Sequence, residues 1–576
     1  PALDPTGAAR RAVSDALAGA LDPELVERAQ SEGLAESQLM LGAELARSAA
    51  GELRPAIVRL VGALQLRRLE GSTRLHLWND SAFERLGIDG SALRVELGPG
   101  ASGLGPLIAP PEGRAPLVRH GEWLAAGREY AAELRVAKAV AMRAPFEESA
   151  PRGLESSRIA LTAEQADAVA AAAVQLLTVI AGGPGTGKTS IVVALLERLL
   201  AQGLRLEDVA LSAPTGKAAD RLRASVAERA PALAAVRATT LHRLLAYSVR
   251  QRTFRRDVDF PIPAKVVVVD ECSMVDLELF DRLFRAAGDA RLVLLGDADQ
   301  LPSVEAGSVF RDLCGLDHTP IVRRLTKSFR MNAADPAGAA VYTFAEAVRQ
   351  GEVLDRPPTL RAYEGVEHTE DRRSLLDDWQ ARFAASERFG RRAYRWPFTE
   401  ADEAEAIGGF DVLQASRLLA MTRRTAAQAN EVMHAHTRRG KEGAFSPGDP
   451  IIVTSNDYEL ALFNGDQGVV LRVGGDLSAV FRSAAGFRRF PLAVLRQRIE
   501  LAWCLTVHKS QGSEYERVGV LFDEGGQGSR ELVYTAVTRA KRSVTLVGPW
   551  QAVVAAAASP LERQCGLAAR LAETVR

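Results

Sequence analysis

LLTVIAGGPGTGKTSIVVALLERLL, residues 176–200, decides the fold class. LLTVIA is an apolar run of strand length, and IVVALLERLL has the spacing of a helix. Between them GGPGTGKTS (182–190) fits G-x-x-x-x-G-K-[ST]. Glycines there let backbone N–H groups curl around phosphate oxygens, and the helix N-terminus adds a field that favours anions. In this pattern Lys188 reaches β- and γ-phosphates, and Thr189 offers its hydroxyl to Mg²⁺. Gly182, Gly183, Pro184, Gly185, Thr186, Gly187 and Ser190 make up the rest of the candidate nucleotide loop. The bland alternative is a Gly-rich turn with a solvated lysine; the flanking strand and helix argue against it.

Outward from this unit, short aliphatic runs alternate with amphipathic helices: VALSAPTG (209–216), KVVVVDE (265–271) and ARLVLLGD (290–297). Such runs predict buried parallel strands in a doubly wound α/β domain. A second set, ASRLLAMT (415–422), IELAWCLTVHKSQG (499–512), RVGVLFDE (517–524) and RSVTLVGP (542–549), predicts another domain of the same kind. Residues 443–498 are rich in Gly, Asp and β-branched residues and predict a small antiparallel β insertion. Apolar residues at helical spacing over 21–49 predict a helical N-terminal domain, and PLVRHGEWLAAGREYAAELRVAKAVAMRA (116–144) runs from a short hairpin-like piece into a helix. The expected division is 1–110 helical, 111–160 a linker and entry segment, 161–325 the first α/β domain, and 326–576 the second with its insertion.

Two strand ends carry acids. VVVVDECSM (266–274) delivers Asp270 and Glu271 at the carboxyl edge of a sheet, where open α/β folds bind ligands. Asp270 is placed to hold Mg²⁺ and Glu271 to deprotonate an attacking water. Alone, an acidic pair usually just faces solvent; downstream of a phosphate loop it becomes specific. LLGDADQLPSVEAGSVF (294–310) ends a strand in Asp297, Asp299 and Gln300, and a glutamine there can contact a γ-phosphate or the attacking water.

Composition bounds the partners. The 576 residues carry 72 Lys+Arg against 72 Asp+Glu, so a globally basic nucleic-acid binder is excluded but a local basic channel is not. Cys272, Cys314, Cys504 and Cys565 form no C-x-x-C pair, which argues against a zinc knuckle. The first thirty residues contain Arg10, Arg11, Asp15, Asp22 and Glu24 and lack the apolar core of a signal peptide. No stretch has the length of a membrane span. The expectation is a cytoplasmic protein with no membrane partner.

The order LTAEQADAV (161–169), GGPGTGKT, APTGKAA (213–219), TTLHRLL (239–245), VVVDECSM, LLGDADQLPSVEAGSVF, LTKSFR (325–330), LTVHKSQGSEY (505–515) and YTAVTRAKRSVTLVG (534–548) resembles the motif set of superfamily 1 helicases, in the 5′→3′ branch. Within that branch the chain is similar to the RecD family of RecBCD (exonuclease V) subunits. A looser match, PLV..GEWL......Y..E, extends this into the N-terminal part. The resemblance implies α/β architecture with two RecA-like P-loop motor domains, a small SH3-like β-barrel in the second, and a mainly helical N-terminal domain. It implies an ATP-dependent 5′→3′ DNA translocase using ATP and Mg²⁺, with single-stranded DNA, duplex ends, and RecB-like and RecC-like subunits as partners in double-strand break repair. It implies no nuclease site of its own.

The resemblance also implies roles. Gln165 reads the adenine edge, Lys188 and Thr189 form the phosphate-loop pair, and Asp270 and Glu271 the magnesium and water pair. Gln300 senses the γ-phosphate, Arg330 and Arg539 act as arginine fingers, and Gly512 and Glu514 lie near ribose and phosphates. Pro214, Thr215, Lys217, Thr240 and His242 match DNA-facing motifs of the first motor domain, and Thr506, His508 and Lys509 those of the second. Phe310, Tyr458 and Phe463 are open to two readings, stacking on bases or a place in the core. QRTFRRD (251–257) and RRAYRW (391–396) are evenly balanced between a path for DNA or a partner surface and a solvated loop. Other readings are a stand-alone superfamily 1 helicase, a relaxase-associated helicase, and a non-catalytic scaffold. Intact Lys188, Asp270, Glu271, Gln300, Arg330 and Arg539 argue against the scaffold.

Overall fold

The computed structural model describes residues 21–47, 54–77, 79–97, 107–111, 113, 115–144, 159–329, 335–352, 365–438, 443–457, 459–483, 486–526 and 528–575. Its centre is two parallel sheets. The first lobe orders its strands Val322–Leu325, Leu177–Gly182, Arg291–Gly296, Val266–Val269, Val209–Ala213 and Ala238–Thr240, all parallel. The second lobe orders Val366–Thr369, Ala540–Val547, Tyr515–Leu521, Ser416–Ala420 and Cys504–Thr506, also all parallel. Both are α/β units, as the aliphatic runs predicted, and RecA-like, as the resemblance implied.

The alternation of side chains along a strand explains the layering. Val267 and Val269 join one buried cluster of the first lobe, while Val266 and Val268 join the other. The second cluster is closed by Ala163–Ala172 and Lys188–Ala201. The first contains Leu277–Ala286 and also Gly127–Arg143, through Val136, Ala137 and Val140. Leu567, Leu571 and Val575 complete it. The helix Leu567–Thr574, expected with the second domain, therefore packs into the core of the first. The chain returns there through residues 559–566, which form no regular element and run between the lobes and the N-terminal unit.

Three further expectations shift. The N-terminal unit has the predicted helices, Pro23–Ser31, Glu36–Ala46 and Arg54–Leu69. It also has a four-stranded sheet in the order Arg74–His76, Trp123–Ala126, Leu117–His120, Ile108–Ala109. The expected division at 110 runs through this sheet; its outer strands are too short to show a period of two. IELAWCLTVHKSQG does not form one strand. Ile499–Leu501 pairs in the small antiparallel sheet and Cys504–Thr506 in the second lobe. Between them the Ala502 N–H donates to Pro450 O, and Trp503 Nε1 to Asp449 Oδ1 at 3.2 Å. That small sheet follows the order Gly486–Pro491, Asp476–Ser483, Gln467–Val473, Pro450–Val453, Ile499–Leu501. It thus extends three residues past the expected end at 498.

RRAYRW is local structure: Tyr394 is buried in a short strand beside Gln467–Val473, and Arg392 pairs with Asp402 and Glu405. In QRTFRRD, Phe254 packs on Tyr247, and Arg256 donates to Pro261 O. Among the described residues no helix is long and apolar enough to cross a membrane.

Candidate functional site

A cavity of about 700 Å³ lies between the lobes, lined by Gln165, Pro184 to Ser190, Asp270, Glu271, Gln300, Glu514 and Arg539. Strand Leu177–Gly182 feeds the loop, and the helix begins at Lys188. Gly187 has φ +81°, and a Cβ there would overlap the Gln165 amide, so the position requires glycine. Lys188 Nζ donates to Gly182 O at 2.6 Å and Gly183 O at 3.1 Å, folded back over its own loop. Thr189 lines the cavity. Ser190 Oγ accepts from Arg229 Nη1 at 2.7 Å.

Gln165 is spent mainly on bracing. Its Oε1 accepts from the Thr162 N–H at 2.9 Å, closing a capping box, and its Nε2 donates to Thr186 O at 2.9 Å. Phe329 and Ser328, in the described part of LTKSFR, lie against the loop: the Phe329 N–H donates to Gly185 O and Ser328 Oγ to Pro184 O. Arg330 lies outside the described residues, as does Tyr458.

The acids follow strand Val266–Val269. Glu271 sits in the left-handed region at φ 55°, ψ 40°, a strain of roughly 1–2 kcal/mol for a residue with a side chain. Burial, and behind it the neighbouring Glu271 carboxylate, push the Asp270 carboxyl up to about 6, with the Lys188 ammonium opposing. A buried acid in this condition is stabilised in its ionised form by a cation. Among the described residues no three His, Cys, Asp or Glu gather as a full metal cage. A carboxylate and a hydroxyl completed by phosphate oxygens and waters is what Mg²⁺ ordinarily takes. Asp270 and Thr189 fit that demand.

The second lobe closes the site through helix Arg530–Thr538. Arg539 is 3% exposed, and its Nη2 donates to Gln300 Oε1 at 2.8 Å, while Gln300 Nε2 donates to Asp297 Oδ2 at 2.9 Å. Tyr534 Oη donates to the same Asp297 oxygen at 3.1 Å, Thr535 Oγ1 accepts from the Leu301 N–H at 2.9 Å, and Gln511 Nε2 donates to Leu301 O at 3.1 Å. Glu514 pairs with Arg221 at 2.6 Å, a further bridge between lobes. Tyr534, Thr535, Gln511 and Arg221 had no assigned role in the sequence. The first three stand inside quoted motifs, but their partners lie more than 200 positions away, and Arg221 looks like one more helix cation.

Gly512 does not line the cavity. With φ +71°, it backs onto Ala218 and Thr215, near the motifs expected to face DNA. Those motifs gather at adjacent strand ends, since Ala213 registers with Thr240. Thr215 and Thr240 each cap the helix that follows, accepting from the Ala218 and Arg243 N–H groups. Pro214 and Lys217 flank the first cap and are half-buried; burial pulls Lys217 down in pKa. His242 is exposed and packs edge-on against Tyr247. Thr506 ends an outer strand of the second lobe, His508 lies just after it, and Lys509 pairs with Glu500 at 2.6 Å. Phe310 is a core residue, 2% exposed beneath Gly296. Phe463 lies against Gly216.

Two RecA-like lobes around such a cavity define a nucleoside-triphosphate-driven motor. A family model described as an AAA domain matches residues 160–371, and one for a UvrD-like helicase C-terminal domain matches 501–547. The RecBCD enzyme subunit RecD of Mycobacterium tuberculosis is 38% identical over 446 residues, covering 71% of this chain and 73% of its own. The ATP-dependent RecD2 DNA helicase of Deinococcus radiodurans is 32% identical over 439 residues, 72% of this chain and 53% of its own. A solved structure of two coordinating Pif1 helicases at forked duplex DNA has a TM-score of 0.40 at 16% identity, covering 67% of this chain and 92% of that one. The chain is an ATP-dependent DNA helicase. More particularly, it belongs to the RecD family of RecBCD subunits.

Proposed function

We infer that the chain is a 5′→3′ translocating motor on single-stranded DNA, working with RecB-like and RecC-like subunits on duplex ends in double-strand break repair. The observation that carries the motor reading is the Arg539–Gln300 hydrogen bond across the cleft, 2.8 Å long, above the phosphate loop. It joins the two lobes at the place where a γ-phosphate would lie. Polarity and partnership rest on the family to which the chain belongs.

Thr189 and Asp270 would hold Mg²⁺, which when bound neutralises phosphate charge. Lys188 swings from its loop carbonyls onto β- and γ-phosphate oxygens. Glu271 orients the attacking water and takes its proton, while Gln300, Arg539 and Arg330 stabilise charge on the transferring group. Gln165 retains one N–H and one lone pair for the adenine edge. Glu514, paired with Arg221, sits at the nucleotide's rim. Thr215, Thr240, Thr506 and Lys509 hold backbone phosphates without reading sequence. The small antiparallel sheet serves as the SH3-like module of the second motor domain. The N-terminal unit is the docking surface for the larger subunits.

Glu271→Gln preserves size and most hydrogen bonding but removes the base. Turnover should fall by about 10²–10⁴-fold while nucleotide binding persists. Joint loss of binding and turnover, read by nucleotide titration and phosphate release, would make Glu271 structural. Strand displacement tests polarity: a duplex with a 5′ single-stranded tail should be unwound, and one with a 3′ tail should not. Unwinding from the 3′ tail would refute the branch assignment. Co-elution of the full chain with RecB-like and RecC-like subunits tests the assembly.

A further inference from the structure

The segment that follows Gln300, residues 301–307, forms no regular element. Its backbone polar groups are instead satisfied from several parts of the molecule. The front end is held by the second lobe, through Thr535 and Gln511 on Leu301. At the back end the Ser303 hydroxyl donates to Glu305 O at 2.9 Å and the Leu277 N–H to Ala306 O at 3.3 Å, and one guanidinium spans three further carbonyl contacts. Arg563, on the segment that returns from the second lobe, donates from Nη2 to Ser303 O at 2.6 Å. Its Nη1 donates to Gly307 O at 2.9 Å and Glu305 O at 3.2 Å. A guanidinium is suited to this, since its planar fork fixes several acceptors in one arrangement.

The same guanidinium also touches the N-terminal unit. The Gly307 N–H donates to Gly71 O at 2.9 Å. Gly71 has φ +86°, and a Cβ there would overlap the guanidinium of Arg563. One residue on, Gln564 O accepts from the Thr73 and Arg74 N–H groups, and Ser72 Oγ accepts from the Gln564 N–H. The Gly566 N–H donates to Glu133 Oε1 at 2.8 Å, and Arg570 pairs with the other Glu133 oxygen at 3.0 Å. Arg563 therefore stands where both lobes and the N-terminal unit meet.

We propose that Arg563 is a positioning residue for ATP hydrolysis: it clamps the Ser303–Gly307 backbone, and through it Gln300, against the N-terminal unit. The proposal rests on Gln300 facing the γ-phosphate. Removing the clamp leaves the phosphate loop untouched, so nucleotide still binds. What is lost is the placement of Gln300 during the chemical step, where small misplacements are costly.

Steady-state ATP turnover by the full chain on single-stranded DNA tests this, with kcat counted per site titrated by a fluorescent ATP analogue. Arg563→Ala should lower kcat by about tenfold or more while KM for ATP stays within about twofold. Arg563→Lys, a point donor on a flexible stem, should restore part of it. Gly71→Ala should reproduce the kcat loss by displacing the guanidinium. Gly203→Ala should not: its φ is +87°, but a Cβ there meets nothing within 4 Å. Parent kcat in both Arg563→Ala and Gly71→Ala, with Gln300→Ala impaired, overturns the clamp and leaves the γ-phosphate assignment standing. Parent kcat in Gln300→Ala overturns both. Loss of titratable sites in step with turnover makes Arg563 merely structural and also overturns the proposal.

Discussion

Lys188→Ala should abolish DNA-stimulated ATP hydrolysis, a loss of about 10²–10³-fold or more for one positioned charge on a transferring phosphoryl group. The folded chain should survive. The ammonium spends its hydrogen bonds on two carbonyls of its own loop, Gly182 O and Gly183 O, and is half-buried at the cavity wall rather than packed in a core. Removing it returns those carbonyls to water, at a cost within about 1 kcal/mol. Thermal melting and phosphate release on the same preparation separate the two effects. Parent-level hydrolysis would remove the phosphate-loop assignment.

Arg539→Ala should have a comparable effect on kcat, by a different route. Its guanidinium donates to Gln300 Oε1 and to the carbonyls of Thr535 and Ser513, and so joins the lobes as well as facing the cavity. We expect kcat to fall by about 10³-fold with much less weakening of ATP binding, since finger contacts strengthen in the transition state. Each buried acceptor left without a donor costs about 1–3 kcal/mol, so melting should move as well. Arg539→Lys keeps the charge and loses the fork; it should melt closer to the parent yet remain slow. An equal drop in kcat and ATP affinity would mark ordinary ground-state binding.

Much of this was legible in local pattern. The strand Leu177–Gly182, the loop after it and the acids after Val266–Val269 are contiguous in sequence, and buried parallel strands announce themselves as aliphatic runs. The bridges between lobes were not legible as bridges. Tyr534 and Asp297 are separated by 237 positions, and nothing in either neighbourhood marks the other. Of the sheet around Arg74–His76, the hairpin of Leu117–His120 with Trp123–Ala126 was legible, while Arg74–His76 and Ile108–Ala109 escaped because strands of two or three residues carry no measurable alternation. Ile499–Leu501 and Cys504–Thr506 read as one apolar run because the turn at Ala502 and Trp503 is made by apolar residues, whose only mark is tertiary hydrogen bonding. Gly512, expected near ribose and phosphates from motif company, backs onto Thr215 and onto Ala218 of the cavity wall.

The placement of Leu567, Leu571 and Val575 has a consequence for biosynthesis. On the ribosome, the nascent strand Leu177–Gly182 emerges nearly four hundred residues before the helix that completes its buried cluster. Until that helix is translated, the helices Gly127–Arg143 and Val309–Cys314 on that side of the sheet lack part of their apolar cover. Contacts of such long sequence separation slow folding and prolong exposure of hydrophobic surface. The first α/β unit is thus committed early and sealed late, and a nonsense codon shortly before residue 567 would damage the nucleotide-binding half of the molecule rather than the half in which it falls.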